Sequence, residues 1–451
     1  MNESAYDIVV IGSGMGGIAA ATLLSKKGYK ILLVESKERL GGRFSTIDYE
    51  GFKVPTGASV IHTEGNVVRL MKEMGVNVEL RLAQRLFYRI DGKDYELPRG
   101  SRLKMLLDLI DKLEIEKGKV AGSLIKEVAT RMVLGNLKTA IGGAEKYGFF
   151  TFRDWLLQFT DNEKAHEVFD QLCVSLLMAH AWELPASQFF LFMAKTGGMK
   201  DFYIAPTGTR RIVEELAKVV AARGAVWTNC PAKKIVVNKG KATGVVVEKD
   251  GKEVELSCQA VISDVGPKKT VELMGQGNVG GDYLKDMRVK LRPHPAVLIL
   301  VASDKPLCLE GIPGLLTIMG ARRIAGTVPM SNICPELAPP GQHLLYMSAE
   351  PLSSLLPMDE EYEKQQCLLD LKEQFPDFEK HGRILLMEPR NIGHEFPECR
   401  TWNGYGMPLE TPIPNVFNVG DACLGAGQAG SSGATESGYR VVDLVRKRVK
   451  V

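Results

Sequence analysis

The chain has 451 residues, of which 45% are hydrophobic and 25% are charged, a composition typical of soluble globular proteins. Its 57 basic and 54 acidic residues leave a net charge of +3, which gives no indication of a nucleic-acid partner. The eight cysteines are scattered without a CxxC pair, so we expect neither a metal site nor disulfides, and a cytoplasmic location. No apolar run is long enough for a transmembrane helix, although a peripheral membrane contact stays open.

The first predicted elements are a strand, a glycine-rich turn and a helix. Asp7–Ile11 has the apolar pattern of a buried parallel strand, and Ile18–Lys27 that of a helix. The G-x-G-x-x-G turn between them permits a tight bend, a close approach of a pyrophosphate, and close packing of the helix on the sheet. We therefore predict a dinucleotide site in this turn. Its candidate residues are Gly12, Ser13, Gly14, Met15, Gly16 and Gly17.

A second strand supplies the ribose-binding acid. Lys30–Val34 is again apolar and ends on Glu35 and Ser36. A carboxylate at this position accepts hydrogen bonds from both ribose hydroxyls and repels a 2′-phosphate. The turn, its flanking elements and Glu35 together make the dinucleotide prediction specific.

A second glycine turn, Gly41-Gly42-Arg43, indicates which dinucleotide is bound. With this turn the sequence resembles the flavoprotein superfamily of amine oxidases, protoporphyrinogen oxidases and phytoene desaturases. The resemblance implies a noncovalent FAD, with Gly41, Gly42 and Arg43 near its pyrophosphate or flavin side. It also implies that the turn at Gly57, Ala58 and Ser59 passes beside the isoalloxazine ring.

The middle of the chain supplies a third part of the FAD site. A helix is predicted over Arg210–Arg223 and a strand-rich run over residues 226–247. The resemblance implies that Ala232 touches adenine through its backbone, and that the strand at residues 260–264 returns the chain to the FAD domain.

The C-terminal part has the same order of elements as the first motif, namely a strand, a glycine-rich turn and a helix. A short apolar strand, Asn415–Val419, ends on Gly420 and Asp421 and is followed by a glycine-rich loop and a helix that runs to about Lys447. A strand-end aspartate can hold a ribityl hydroxyl, and a helix N-terminus favours the negative charge of a reduced flavin. Gly420, Asp421, Gly430 and Ser431 are therefore candidate cofactor residues.

We predict an α/β fold with a Rossmann-like FAD-binding domain of the GR2 type, in which a parallel sheet carries a three-stranded β meander. This domain is interleaved with an α+β substrate domain. The FAD-binding domain is expected at 1–77, 205–289 and 396–451, and the substrate domain at 78–204 and 290–395. A helical cap is expected in the first insertion, with helices at Leu103–Leu113, Gly122–Leu134 and Phe152–Phe159.

The substrate side gives weaker signals. The first insertion is rich in methionine and aromatic residues, which suits an apolar pocket. Pocket candidates are Met178, Phe192, Tyr203, Trp402 and Tyr405. No catalytic residue is assigned, because a flavin needs no obligatory acid or base. His394, Glu395 and Lys290 are candidates, and His62, His180 and His294 are the other histidines considered for proton chemistry.

The C-terminal Gly420-Asp421 motif and the first insertion, which is rich in methionine and phenylalanine, favour the phytoene desaturase-like branch of the superfamily. We expect an FAD-dependent dehydrogenase or desaturase that moves a hydride between flavin N5 and an apolar, isoprenoid or alicyclic substrate. Its electron acceptor would be oxygen, a quinone or a carrier protein. The alternatives are a flavin amine oxidase, a redox-neutral flavin isomerase and a binder of prenylated proteins similar to the GDP-dissociation inhibitors.

Overall fold

The computed structural model describes residues 6–83, 86–96, 150–158, 160–195, 201–291, 294–308, 314–354, 357–390 and 406–449. The predicted helices Leu103–Leu113 and Gly122–Leu134 lie outside these ranges. Within them, no helix combines the length and the apolar character needed to cross a membrane.

The strands of the described residues form a mixed α/β fold together with the helices. They are β1 Tyr6–Ile11, β2 Ile31–Val34, β3 Thr46–Tyr49, β4 Phe52–Pro55, β5 Ile61–His62, β6 Arg81–Ala83, β7 Leu86–Ile90, β8 Lys93–Glu96, β9 Phe202–Ile204, β10 Ala225–Trp227, β11 Ala232–Asn238, β12 Lys241–Lys249, β13 Lys252–Ser263, β14 Ala296–Ser303, β15 Leu315–Ile318, β16 Ile324–Pro329, β17 His343–Ala349, β18 Gly382–Arg390 and β19 Val416–Asn418.

The α-helices of the same residues are α1 Met15–Lys26, α2 Asn66–Met74, α3 Phe152–Leu157, α4 Glu163–Leu177, α5 Ala186–Lys195, α6 Arg210–Ala221, α7 Pro267–Met274, α8 Gly281–Lys290, α9 Met330–Ile333, α10 Glu360–Gln374, α11 Phe378–His381 and α12 Gly430–Arg446. Helix α1 begins three residues before the predicted Ile18, because the last glycines of the turn already have helical backbone geometry.

The first sheet joins strands from both ends of the chain. Strands β10, β2, β1, β13 and β19 are neighbours and run parallel. Strand β13 is long enough to pair with two different strands. Its first half pairs antiparallel with β12, which in turn pairs with β11, and its second half pairs parallel with β1. Because parallel strands end at one edge, the residues that follow β1, β2, β13 and β19 meet there.

Helices α1 and α12 cover this sheet and lie against each other. Helix α1 is buried along almost its whole length. A Cβ on Gly438 of α12 would lie 2.7 Å from the Cβ of Ala19, so only glycine permits this distance between the two helices. The N-terminal and C-terminal helices are thereby fixed side by side.

A second sheet builds the other half of the molecule. Its strand order is β18-β14-β17-β16-β15-β7-β8. Strand β14 is buried along its whole length, as its run of apolar residues predicts. Helices α3, α4 and α5 form an aromatic core with β7 through Tyr88, Phe152, Trp155 and Phe189. A small sheet, β5-β9-β6, pairs strands from the two ends of the first insertion with each other and with β5, which precedes it. The predicted domain limits themselves stay a prediction.

Candidate active site

The first glycine turn has the geometry that its sequence predicts. Gly12 has a positive φ of 93° and donates its N–H to the carbonyl of Val34, 2.8 Å away. A Cβ on Gly17 would overlap the carbonyl oxygen of Gly12. Helix α1 starts at Met15 with Gly14 as its N-cap, and glycine has no side chain that could cap the first turn. One amide of this turn, the N–H of Gly17, donates to Asp264. The positive end of the helix dipole at this turn favours an anion.

Glu35 is tied to this turn rather than exposed at a strand end. Its Oε2 accepts hydrogen bonds from the backbone N and the Oγ of Ser13, at 3.0 and 2.6 Å. The Ser13 Oγ in turn accepts the N–H of Gly41 at 3.0 Å, and the Ser36 Oγ donates to Glu35 Oε1 at 3.2 Å. Three predicted parts, namely the first turn, the acid and the second turn, are thus brought together.

The second glycine turn lies against the segment that contains Gly57. Gly41 and Gly42 have positive φ angles of 97° and 55°. A Cβ on Gly57 would lie 2.6 Å from the carbonyl oxygen of Arg43. Ala58 packs on the core of the first sheet, and Ser59 is buried with no hydrogen-bond partner for its hydroxyl among the described residues.

The C-terminal turn touches the first turn directly. Gly420 has a φ of 99°, and a Cβ on Gly16 would lie 2.5 Å from the Gly420 nitrogen. Asp421 pairs with Arg43 at 2.8 Å. Gly430 and Ser431 open helix α12, and a Cβ on Gly430 would find no atom within 4 Å. The first, second and C-terminal turns therefore enclose one site.

Arginines surround this site. Arg39 donates to the carbonyl of Gly42 at 2.6 Å. Burial lowers the pKa of Arg39, and the positive charges of Arg210 and Arg390 lower it further, while Glu35 opposes them. Burial and the charge of Arg43 likewise lower the pKa of Arg390, against the opposing effect of Glu388. The positive charges of these arginines act on one another, so an anion beside them would be favoured.

Asp264, which the sequence did not mark as a site residue, lies at the centre of the turns. It follows β13 directly, and its N–H donates to the carbonyl of Ile11 at 2.8 Å. A Cβ on Gly14 would lie 2.5 Å from its Oδ2, and one on Gly420 would lie 2.6 Å from its Oδ1. The space that Gly14 leaves is therefore occupied by a carboxyl group of the protein.

Helix α5 of the first insertion contacts the loop before α12. Gln188 donates from Nε2 to the carbonyl of Gln428 at 3.1 Å and accepts the N–H of Gly427 at 2.8 Å. A Cβ on Gly427 would lie 2.6 Å from the Cβ of Leu191. No pattern in the sequence marks Gln188, because an isolated glutamine in an apolar helix has no characteristic spacing.

The predicted pocket residues lie on different elements. Phe192 is 2% exposed and belongs to the aromatic core, with its ring 6.2 Å from that of His62. Tyr203 of β9 pairs with Ile61 of β5. Met178 ends α4 with a left-handed backbone at a φ of 56°. Trp402 and Tyr405 lie outside the described residues.

His62 lies beside Phe192 and follows Ser59 by three positions. Burial lowers the pKa of its imidazole, so its neutral form is favoured.

The remaining predicted residues lie elsewhere. Of the catalytic candidates, Lys290 ends α8 and pairs with Asp286 at 2.6 Å. His394 and Glu395 lie outside the described residues. Ala232 begins β11, two residues after Cys230, whose N–H donates to the carbonyl of Glu35 at 2.8 Å.

The enclosed site fits an extended dinucleotide. Its first turn offers a helix N-terminus to a pyrophosphate, and its arginines offer positive charge. Gly42 and Gly430 leave free space, since the nearest atom to a Cβ on Gly42 would be 4.0 Å away. Ser59 Oγ and Asp264 Oδ2 are buried polar atoms without a hydrogen-bond partner in the described part of the chain. A polar, anionic ligand matches these features.

Comparisons with known proteins agree with such a ligand. A family model described as flavin containing amine oxidoreductase matches residues 15–446. An uncharacterized protein of Methanocaldococcus jannaschii is 24% identical over 97% of this chain and 99% of its own length. The crystal structure of an oxidoreductase from Methanosarcina mazei covers 97% of this chain and 100% of its own, at 25% identity and a TM-score of 0.80.

Two relatives of named activity match smaller parts. A flavin-containing amine oxidase of Oncorhynchus mykiss is 36% identical over 21% of this chain and 18% of its own length. An all-trans-retinol 13,14-reductase of Danio rerio is 25% identical over 59% of this chain and 49% of its own length. The chain thus spans half or less of each of these two proteins.

Proposed function

This chain belongs to the flavin containing amine oxidoreductase family, and within it we propose a dehydrogenase or desaturase that acts on an apolar, isoprenoid or alicyclic substrate. The coarser activity, that of an FAD-dependent oxidoreductase, follows from the family. When bound, FAD supplies the hydride acceptor or donor at its N5 atom. The substrate class and the direction of transfer are our proposal.

The chain's own residues would hold the cofactor noncovalently. The first turn and the amides of α1 would bind the pyrophosphate, together with Arg43. Glu35 would bind the adenosine ribose, Ala232 would contact adenine, and Asp421 would hold a ribityl hydroxyl. We infer a Rossmann-like domain of the GR2 type, formed by 1–77, 205–289 and 396–451, and a substrate domain formed by 78–204 and 290–395.

One observation carries the substrate proposal: the helix that contacts the cofactor loop is apolar. Helix α5 holds the loop before α12 through Gln188 and carries Phe189, Phe190 and Phe192. Phe192 also contacts His62, which follows the segment predicted beside the flavin. These rings pack in the aromatic core, so what supports the proposal is the apolar surrounding that the helix gives the loop, which suits a hydrocarbon better than a strongly hydrated ammonium group.

The match to the retinol reductase supports the same substrate class, because it extends over 59% of this chain whereas the match to the trout amine oxidase covers 21%. Amine oxidation is the second candidate, and the higher identity of that shorter segment favours it. Either oxidation needs an electron acceptor, for which we propose oxygen, a quinone or a carrier protein. A peripheral membrane contact would bring an apolar substrate to the site.

Anaerobic flavin spectroscopy tests the proposal. The purified yellow protein is mixed, without oxygen, with apolar alicyclic and isoprenoid compounds and, in parallel, with primary and secondary amines. Loss of the oxidised flavin absorption with an apolar compound supports the proposal. In the reverse direction, the dithionite-reduced protein is mixed with conjugated polyenes, and reappearance of the absorption supports a reductase. Rapid bleaching by simple amines alone would replace the proposal with amine oxidation.

A further inference from the structure

The carboxyl group of Asp264 lies beneath both glycine-rich turns of the FAD site. Its Oδ1 would lie 2.7 Å from a Cβ on Gly16 and 2.6 Å from one on Gly420. Its Oδ2 would lie 2.5 Å from a Cβ on Gly14. We propose that Asp264 is a positioning residue that is protonated in the FAD complex, so that the protein releases FAD when this carboxyl group ionises.

The hydrogen bonds of Asp264 do not satisfy an ionised carboxylate. The N–H of Gly17 donates to it, while Oδ2 is buried and has no hydrogen-bond partner among the described residues. A buried carboxylate normally accepts several hydrogen bonds or pairs with a cation. A neutral carboxyl group places less charge on Oδ2 and adds a hydrogen-bond donor at the start of α1, where a phosphate is expected.

The charged groups around Asp264 act in the same direction. Burial is the main cause that raises its pKa to about 8, and the negative charges of Asp421 and Glu35 raise it further. The Gly17 N–H and the positive charge of Arg43 oppose this effect. Arg43 is already paired with Asp421 at 2.8 Å, so its charge is shared. The ionised form would thus be a third carboxylate beside Asp421 and Glu35, with Arg43 as the cation that acts on it.

FAD would strengthen this preference. Its pyrophosphate carries two negative charges and is expected at the turn that covers Asp264, so the complex should hold the Asp264 proton more tightly than the apoprotein does. Binding then takes up a proton at any pH between the two pKa values. FAD affinity is therefore constant below the pKa of the apoprotein and decreases above it. This inference requires FAD binding alone and is independent of the proposed substrate.

The test is a titration of deflavinated protein with FAD from pH 6.5 to 9.5. For the unaltered protein we expect a constant Kd below about pH 7.5 and an increase approaching tenfold per pH unit above about pH 8. Asp264→Asn keeps the shape of the side chain and removes the ionisation, so its Kd should stay nearly constant. Asp250→Asn is the matched control. Asp250 is exposed in the turn between β12 and β13 with a φ of 51°, which asparagine tolerates.

Two outcomes would overturn the proposal. One is a pH dependence in Asp264→Asn that equals that of the unaltered protein. The other is loss of FAD by this variant at pH 7 while circular dichroism shows it folded, which would mean that the ionised carboxylate is needed. A second measurement does not depend on the variant: mixing unaltered apoprotein with FAD at about pH 8.5 in weak buffer should take up about three quarters of a proton per FAD bound. An uptake near zero contradicts the proposal.

Discussion

The guanidinium of Arg43 and the carboxylate of Asp421 form an ion pair of 2.8 Å between Nη2 and Oδ2. One residue belongs to the second glycine turn and the other to the C-terminal turn, so the pair joins segments from opposite ends of the chain. The side chains remain 34% and 21% exposed. A pair this accessible contributes about 1 kcal/mol or less to folding. Its main consequence is the position of two groups that we expect to face FAD.

Replacing either member should therefore weaken FAD binding far more than folding. We expect Arg43→Gln and Asp421→Asn each to raise the Kd for FAD about tenfold or more, since a charged hydrogen bond contributes roughly 1.5–3 kcal/mol. The free energy of unfolding of the apoprotein should change by about 1 kcal/mol or less. Fluorescence titration and thermal melts measure the two quantities.

A matched ion pair elsewhere provides the control. Arg211 and Glu215 of α6 pair at 2.7 Å with side-chain exposures of 51% and 22%. Arg211→Gln should leave FAD affinity unchanged. Equal FAD affinity in Arg43→Gln and in this control would contradict the role of the Arg43–Asp421 pair.

The elements around the first glycine turn could be predicted from the sequence because they are close together in the chain. Strands β1 and β2, the first glycine turn and Glu35 lie within about thirty residues, and each carries its own backbone or charge requirement. What the sequence could not supply was the hydrogen bond from Ser13 to Glu35, since hydroxyl orientation depends on the folded turn. The candidate roles of these residues toward FAD stay predictions.

Asp264 and Gln188 could not be found by such local patterns. An aspartate directly after an apolar strand usually indicates a solvent-exposed strand end. The burial of Asp264 results from the meeting of β1, β13 and β19, which only the tertiary fold determines. Conversely, Phe192 was a pocket candidate by composition, and the structure places it at 2% exposure in an aromatic core. Composition alone does not separate a pocket wall from a core.

Gly17→Ala should disrupt the first turn. A Cβ at this position would overlap the carbonyl oxygen of Gly12, a backbone atom that cannot move without distorting β1 or α1. We expect a loss of about 3 kcal/mol or more in the free energy of unfolding, together with loss of FAD. Gly277→Ala is the control, because a Cβ there would meet no atom within 4 Å. Urea denaturation of both variants measures the difference, and equal stability would refute the steric argument.

Gln188→Leu should loosen the loop that precedes α12. The change removes both hydrogen bonds of the amide and leaves the Gly427 N–H and the Gln428 carbonyl without these partners. Each unsatisfied buried group costs about 1–3 kcal/mol. We expect lower stability and faster FAD dissociation, followed by flavin fluorescence after dilution. Gln276→Leu, at an exposed position, should alter neither. An unchanged dissociation rate in Gln188→Leu would show that α5 does not position the loop.

His62 should make the protein sensitive to acid. Because burial lowers the pKa of His62 in the folded state, the unfolded chain accepts a proton near pH 6.5 that the folded chain does not accept. The free energy of unfolding therefore decreases as the pH falls below about 6.5, by at most about 1.4 kcal/mol per pH unit for this one group, until the folded-state pKa is reached. His62→Gln removes the titration, so its urea midpoint should decrease less between pH 7 and pH 5 than that of the unaltered protein. If both proteins lose the same stability over this range, another group is responsible and His62 does not stay neutral in the folded state. A smaller loss in the variant would instead mean that an uncharged imidazole, able to accept a proton from a bound substrate, is present beside Phe192 at neutral pH.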